Sequence, residues 1–135
     1  MQSLNALLGR VGLSLIFIIS GFGKIAAYAG TQQYMAAVGV PGALLPFVIA
    51  LELGGGLAIL AGAFTRSTAI ALALFSIVSG LLFHFNLGDQ NQFIHLLKNV
   101  AIAGGFLTLA AHGPGSISID ALWRKKSTRA RQATA

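Results

Sequence analysis

Cysteine is absent from the 135-residue chain, which removes disulfides, Fe–S clusters and thiol catalysis from the protein itself. Charge is nearly absent too. Only 9% of residues are charged and 56% are hydrophobic, whereas a soluble domain carries about 25% charged residues. A core of this size cannot hide so much apolar surface, and with a mean hydropathy of +0.80 the solvent must be lipid. Carboxylates are the scarcest groups: three Asp and Glu stand against nine Lys and Arg, a formal charge of +6. A pI near 10.6 can signal nucleic acid, but a nucleic-acid binder spreads its cations over a folded face. Here five of the nine crowd into the tail as Arg124, Lys125, Lys126, Arg129 and Arg131. That pattern suits anionic lipid headgroups and membrane orientation, so the expected partner is the bilayer and not nucleic acid.

What the chain does have is long apolar runs. The run at 43–63 reads ALLPFVIALELGGGLAILAGA and carries one carboxylate, Glu52, near its middle. About 20 apolar residues suffice for a helix to cross a hydrocarbon core roughly 30 Å thick. A buried carboxylate at that depth should face protein or water and have a partner. Similar runs at 7–27, 68–87 and 93–111 complete four expected spans. The first imitates a secretory signal peptide, with Arg10 before an apolar core and small residues after it. Lys24 interrupts that pattern and three spans follow, so a retained helix is expected. Arg10, Ser14, Phe17, Gly21 and Lys24 form one helical stripe, which should face the bundle.

Between the first two spans, YAGTQQYMAAVGVPG holds no charge. Thr31 is a candidate cap for a short helix stopped by Gly39 and Pro41. Tyr28 and Tyr34 suit the headgroup level, and the segment reads as an interfacial connector rather than a lid. Gly54, Gly55 and Gly56 allow either close helix packing or local unwinding. Ser76, Gly80 and His84 share one face of the third span; His95, Lys98 and Asn99 share one of the fourth. His112-Gly113-Pro114-Gly115 ends that span. Trp123 suits an interface anchor, and 124–135 reads as a mobile basic tail. No internal repeat is found.

These features predict an all-α membrane protein: one integral domain over 1–123, folded as a four-helix up-down-up-down bundle. Arg10, Arg66 and the tail lie at one end of that bundle, and the two opposite loops hold no Lys or Arg. The asymmetry predicts both termini in the cytoplasm. With about 1.5 Å rise per residue, Glu52 falls about 13 Å and Lys98 about 9 Å below the outer ends of their spans. Lys24 and His84 lie about one turn deep, so Glu52, Lys98, Asn99, His84 and Lys24 can meet in the outer half. Arg10 lies too far away. Each member has a plain structural reading as well. A Glu52–Lys98 pair can hold the bundle together, Lys24 can snorkel, and His84 and His95 can hydrogen-bond at a helix interface. His84 and His95 sit at similar depth, as a bis-histidine haem would require, but no second pair supports haem and no carboxylate shell supports a metal.

The succession Arg10…Gly21-Phe-Gly-Lys24, Gly39-Val-Pro41, Glu52-Leu-Gly-Gly-Gly56, Gly62-Ala-Phe-Thr65-Arg66, His84 and Gly113-Pro-Gly-Ser…Ser118-Ile-Asp120 resembles the DoxX family of small bacterial membrane proteins. The resemblance runs from about Arg10 to Lys126. It implies a four-helix inner-membrane protein related to membrane subunits of quinone-linked thiosulfate oxidation and quinol oxidase, and to complexes that protect against oxidative stress. Lys24, Glu52, Arg66 and His84 are the positions most open to carry-over. The leading expectation is an accessory or quinone-interacting subunit of a membrane redox complex, with a membrane or periplasmic partner. Glu52 and His84 would carry protons, and Lys24, Lys98, Asn99 and His95 would bind the quinone. The alternatives are a non-enzymatic scaffold or assembly partner and, last, a small proton-coupled transporter formed by a homo-oligomer.

Overall fold

The computed structural model describes residues 2–133, and among them every regular element is helical. In chain order these are α1 (Gln2–Ala26), α2 (Tyr28–Ala37), α3 (Leu45–Ala61), α4 (Thr65–His84), α5 (Gln90–His112) and α6 (Ile119–Ala133), with a 3₁₀ turn at Gly42–Leu44 leading into α3. Four helical stretches are long and apolar enough to cross a membrane: Ser3–Ala26, Gly42–Ala61, Thr65–His84 and Gln90–His112.

Small residues set how these helices meet. A Cβ on Gly56 would lie 2.8 Å from Ile18 Cγ1, and one on Gly21 would lie 2.6 Å from Leu53 Cγ. Contacts therefore climb α1 as they descend α3, so the two run antiparallel. Gly105 of α5 meets Leu13, and Gly115 just beyond it meets Ala6; α1 and α5 are antiparallel as well. Gly80 of α4 packs on Asn99 of α5, while Arg66 at the start of α4 reaches the Ala111 carbonyl near the end of α5. The result is the expected up-down-up-down bundle. Its core is Phe17, Ile59, Leu72 and Phe106 with their neighbours, and the Phe17 and Phe106 rings meet edge to face at 5.4 Å.

The stripe on α1 turns inward as its spacing predicts: Arg10, Ser14, Phe17 and Gly21 are buried and Lys24 is half-buried. The glycine triplet packs and does not unwind. α3 is continuous through it, with Gly55 against Leu72, Gly56 against Ile18 and Ser14, and Gly54 facing open space. Thr31 is not a cap. It lies inside α2, which starts at Tyr28, and its hydroxyl donates to the Ala27 carbonyl at 2.9 Å. α4 begins at Thr65, earlier than hydropathy suggested, because a carboxylate from α6 caps it. The segment read as a mobile tail continues as α6 to Ala133; no Gly or Pro follows Gly115 to stop it. Residues 134–135 of that segment lie outside the described residues, as does the side chain of Arg131.

At the end of the bundle that carries both termini, here the terminal end, two side chains lock the α3–α4 turn. Arg10 is 1% exposed. Its guanidinium donates to the carbonyls of Leu60 at 3.1 Å and Ile59 at 3.4 Å, in the last turn of α3, and to the Ile117 carbonyl. Asp120 does the reverse at the start of α4, accepting from the backbone N–H of Phe64 at 2.8 Å and of Thr65 at 2.9 Å. Its own N–H donates to the Gly62 carbonyl at 2.9 Å. A cation on a helix C-terminus and an anion on a helix N-terminus each satisfy groups that the helix leaves unpaired and oppose its dipole.

Candidate functional site

The opposite, distal half of the bundle is organised around a cavity of about 440 Å³, within the usual range for small-molecule sites. Ile16, Phe17, Val48, Phe75, Leu82 and Ile102 give it apolar walls, and Ser20, Lys24, Glu52, His84, Lys98 and Asn99 line it with polar groups. α2 covers it with Thr31, Tyr34 and Met35. Met35 is buried, and the Tyr34 ring stacks on Phe83 at 5.3 Å. The segment read from sequence as a connector is thus the cover of the cavity.

Glu52 is 4% exposed. Its partner is Lys24 and not Lys98. Lys24 Nζ lies 3.0 Å from Oε1, to which it donates a hydrogen bond, and 2.9 Å from Oε2. The Oε2 approach is an ion-pair contact without hydrogen-bond alignment, so this buried oxygen accepts no hydrogen bond. Ser20 completes the group: Lys24 Nζ is 2.6 Å from its hydroxyl, which donates to Glu52 Oε1 at 3.4 Å. The physical cause is the glycine contact below. With no side chain on Gly21, Leu53 packs directly against α1, and one turn further along α1 this register brings Lys24 beside Glu52. Depth arithmetic treated the spans as independent rods and missed that. Ser20 was missed too, although its place four residues before Lys24 puts both on one face.

Lys98 instead donates to His95 Nδ1 at 3.2 Å, since an ammonium can only donate. Asn99 lines the cavity and donates to the His95 carbonyl at 3.1 Å. His84 Nδ1 lies 2.7 Å from Gln92 Oε1, an acceptor, so the proton sits on Nδ1. The His84 and His95 rings lie 5.0 Å apart at 33°. Rings in contact leave no space for a porphyrin plane between them, so this pair does not fit bis-histidine haem ligation. The sequence-derived candidates Lys24, Glu52, His84, Lys98 and Asn99 thus share one cavity, and His95, an exposed residue off its wall, accepts from Lys98 and Asn99. Arg66, by contrast, is an exposed residue at the terminal end.

With that geometry in view, the relatives are informative. The sequence profile described as DoxX matches residues 5–85, which takes in Lys24, Glu52 and His84. The chain belongs to the DoxX family. It is 50% identical over 126 residues to the "Inner membrane protein YqjF" of Escherichia coli K12, covering 93% of this chain and 97% of that one. It is 40% identical over 121 residues to the "Inner membrane protein YphA" of the same organism, covering 84% and 86%. A third relative, the "Putative oxidoreductase CatD" of Bacillus subtilis, is 32% identical over 71 residues, 53% of each chain. No solved structure matches. With relatives of this kind and four apolar helices able to span a bilayer, this DoxX protein is a multi-span inner-membrane protein.

Proposed function

We propose that the distal cavity binds a quinone and that the protein is an accessory, quinone-interacting subunit of a membrane redox complex. The observation that supports this most directly is the pairing of a buried carboxylate with cationic donors on the wall of an otherwise apolar cavity inside a membrane bundle. The fit is chemical. Quinone carbonyl oxygens need donors, and Lys98 and Lys24 carry them. Reduction needs protons, and Glu52 Oε2 is a buried acceptor with no hydrogen bond of its own. When bound, a quinone would supply two-electron, two-proton redox chemistry. The chain's own residues orient the ring, exclude water through α2, and hold or pass a proton at Glu52. His84, tied by its Nδ1–H to Gln92, leaves Nε2 free to exchange a proton. The name of the Bacillus relative agrees with redox work, and electrons would come from a partner protein.

Membranes of the native host, with the natural partner present, test the assignment. Glu52→Gln and His84→Ala should lower quinone reduction without lowering protein abundance. Wild-type rates in both variants would overturn it. A scaffold reading has one observation of its own: Gly9, Gly12 and Gly23 of α1 meet nothing within 4 Å, which leaves room for a helix of another protein. That reading expects a stoichiometric protein partner in gentle extracts and no bound quinone. In either case the cytoplasmic placement of both termini is supported by the position of Arg10, Arg66 and the tail. A C-terminal fluorescent-protein fusion should glow, and an alkaline phosphatase fusion at the same point should be inactive.

A further inference from the structure

Charge in the distal cavity does not balance. Its wall carries two lysines, Lys24 and Lys98, and one carboxylate, Glu52. Lys24 is committed to Glu52 at 2.9 Å. The remaining two of the chain's three acidic residues are committed elsewhere. Asp89 caps α5 through the N–H groups of Asn91 at 2.8 Å and Gln92 at 3.2 Å, and Asp120 caps α4. Lys98 hydrogen-bonds His95 Nδ1, a neutral acceptor that satisfies one donor and cancels no charge. Lys98, an exposed side chain on α5, therefore stands on the wall of a largely apolar cavity with no carboxylate of the described residues bonded to it. An ammonium on such a wall attracts an anionic group that enters the cavity.

We infer that the ligand preferred by this cavity is an apolar molecule bearing one carboxylate, its head held by Lys98 and its body lying among Ile16, Val48, Leu82 and Phe83. One negative charge neutralises the excess. A phosphate head would overshoot it, and a neutral head such as a quinone would accept a hydrogen bond from Lys98 but cancel no charge. Asn99 gives one amide hydrogen to the His95 carbonyl and keeps one, while Lys98 keeps two beyond the one it gives His95 and is the donor that also carries charge. The inference rests on the cavity of the reading above being a ligand site, but not on its being a redox site.

The test uses the full chain in nanodiscs of phosphatidylcholine, whose headgroups carry no net charge to compete for Lys98. The probes are cis-parinaric acid and its methyl ester, equal in apolar body and different in charge. The acid should bind about ten- to a hundredfold more tightly than the ester, the scale of a hydrogen bond to a charged group. Lys98→Met should bring the acid down to the affinity of the ester, and Lys98→Arg should keep the difference. Equal affinities on the wild-type protein would overturn the inference whether or not Lys98→Met folds. So would a preference for the acid that survives Lys98→Met. Competition by decylubiquinone separates the two readings. A quinone that binds where the acid does not would leave the redox assignment standing and remove this one. An acid that binds where quinone fails to displace it would do the opposite.

Discussion

At the terminal end of the bundle, Arg10 and Asp120 each bind backbone. Arg10 holds carbonyls at the close of α3 and the carbonyl of Ile117, while Asp120 holds N–H groups at the opening of α4. At the distal end, Lys24 and Glu52 bind each other, on the wall of a cavity, with one carboxylate oxygen left without a hydrogen bond. Both ends use one cation and one carboxylate. A side chain spent on backbone groups that have no other partner acts as a fastening, since removing it leaves helix ends unsatisfied. A side-chain pair next to a cavity can exchange partners with a ligand or gain a proton. The contrast sets a fastening at one end against the proposed ligand site at the other, and substitutions at the two ends can break it.

The largest effect is expected at Arg10. Arg10→Met keeps the apolar stem and strands three buried or part-buried carbonyls. The loss should be about 3 kcal/mol or more, read as a large drop in thermal midpoint and in membrane abundance. Next comes the contact that aligns the two ends along α1 and α3. Gly56→Ala places a methyl 2.8 Å from Ile18 Cγ1 and 3.3 Å from the Ser14 carbonyl, an overpacking that costs about 1–3 kcal/mol. Gly54→Ala meets nothing within 4 Å and should leave the thermal midpoint unchanged. If the two glycine variants behave alike, close packing at Gly56 does not hold α1 against α3.

The sequence carried the four spans, the inward stripe of α1 and the polar cluster, because hydropathy and helical spacing are local properties. Partner choice was not local. Lys98 looked nearer to Glu52 by counting residues along straight rods, and the Gly21–Leu53 contact decided for Lys24. The same limit applies to Asp120. Hydropathy has no signal for a carboxylate more than fifty positions downstream that caps α4, so α4 was expected to start late. The helical form of α6 has no hydropathy signal either, because its residues are mostly charged and polar, and what permits the helix is the lack of Gly and Pro after Gly115.

Asp120 offers a smaller effect with a pH signature. Burial pushes its carboxyl upward, but the N–H groups of Thr65 and Phe64 and the nearby Arg124 outweigh this and hold it below the ordinary aspartate value. A carboxyl lowered on folding adds stability above its unfolded value, and that stability disappears as pH falls through the folded value. Asp120→Ala should cost about 1–2 kcal/mol near neutral pH. The variant should also lack the acid step in thermal stability that the wild type shows below the normal aspartate range. An unchanged acid profile would mean that this cap does not fasten the α3–α4 turn.

The smallest change in stability is expected where the largest change in function is proposed. Glu52→Gln removes a charge from a buried site, which by itself suggests a severe penalty. The geometry argues for less. Lys24 has a side chain 25% exposed, so its ammonium can keep contact with water, and it retains the Ser20 hydroxyl at 2.6 Å. A glutamine oxygen at position 52 can still accept from both. Ion pairs with one solvated partner are worth about 0–1 kcal/mol, and the thermal midpoint of Glu52→Gln should fall by no more than that implies. A scaffold held together by this pair predicts the reverse, a collapse in abundance comparable to that of Arg10→Met. Measuring both variants side by side in the same membranes therefore decides whether the distal pair is a second fastening or a site kept polar for a ligand.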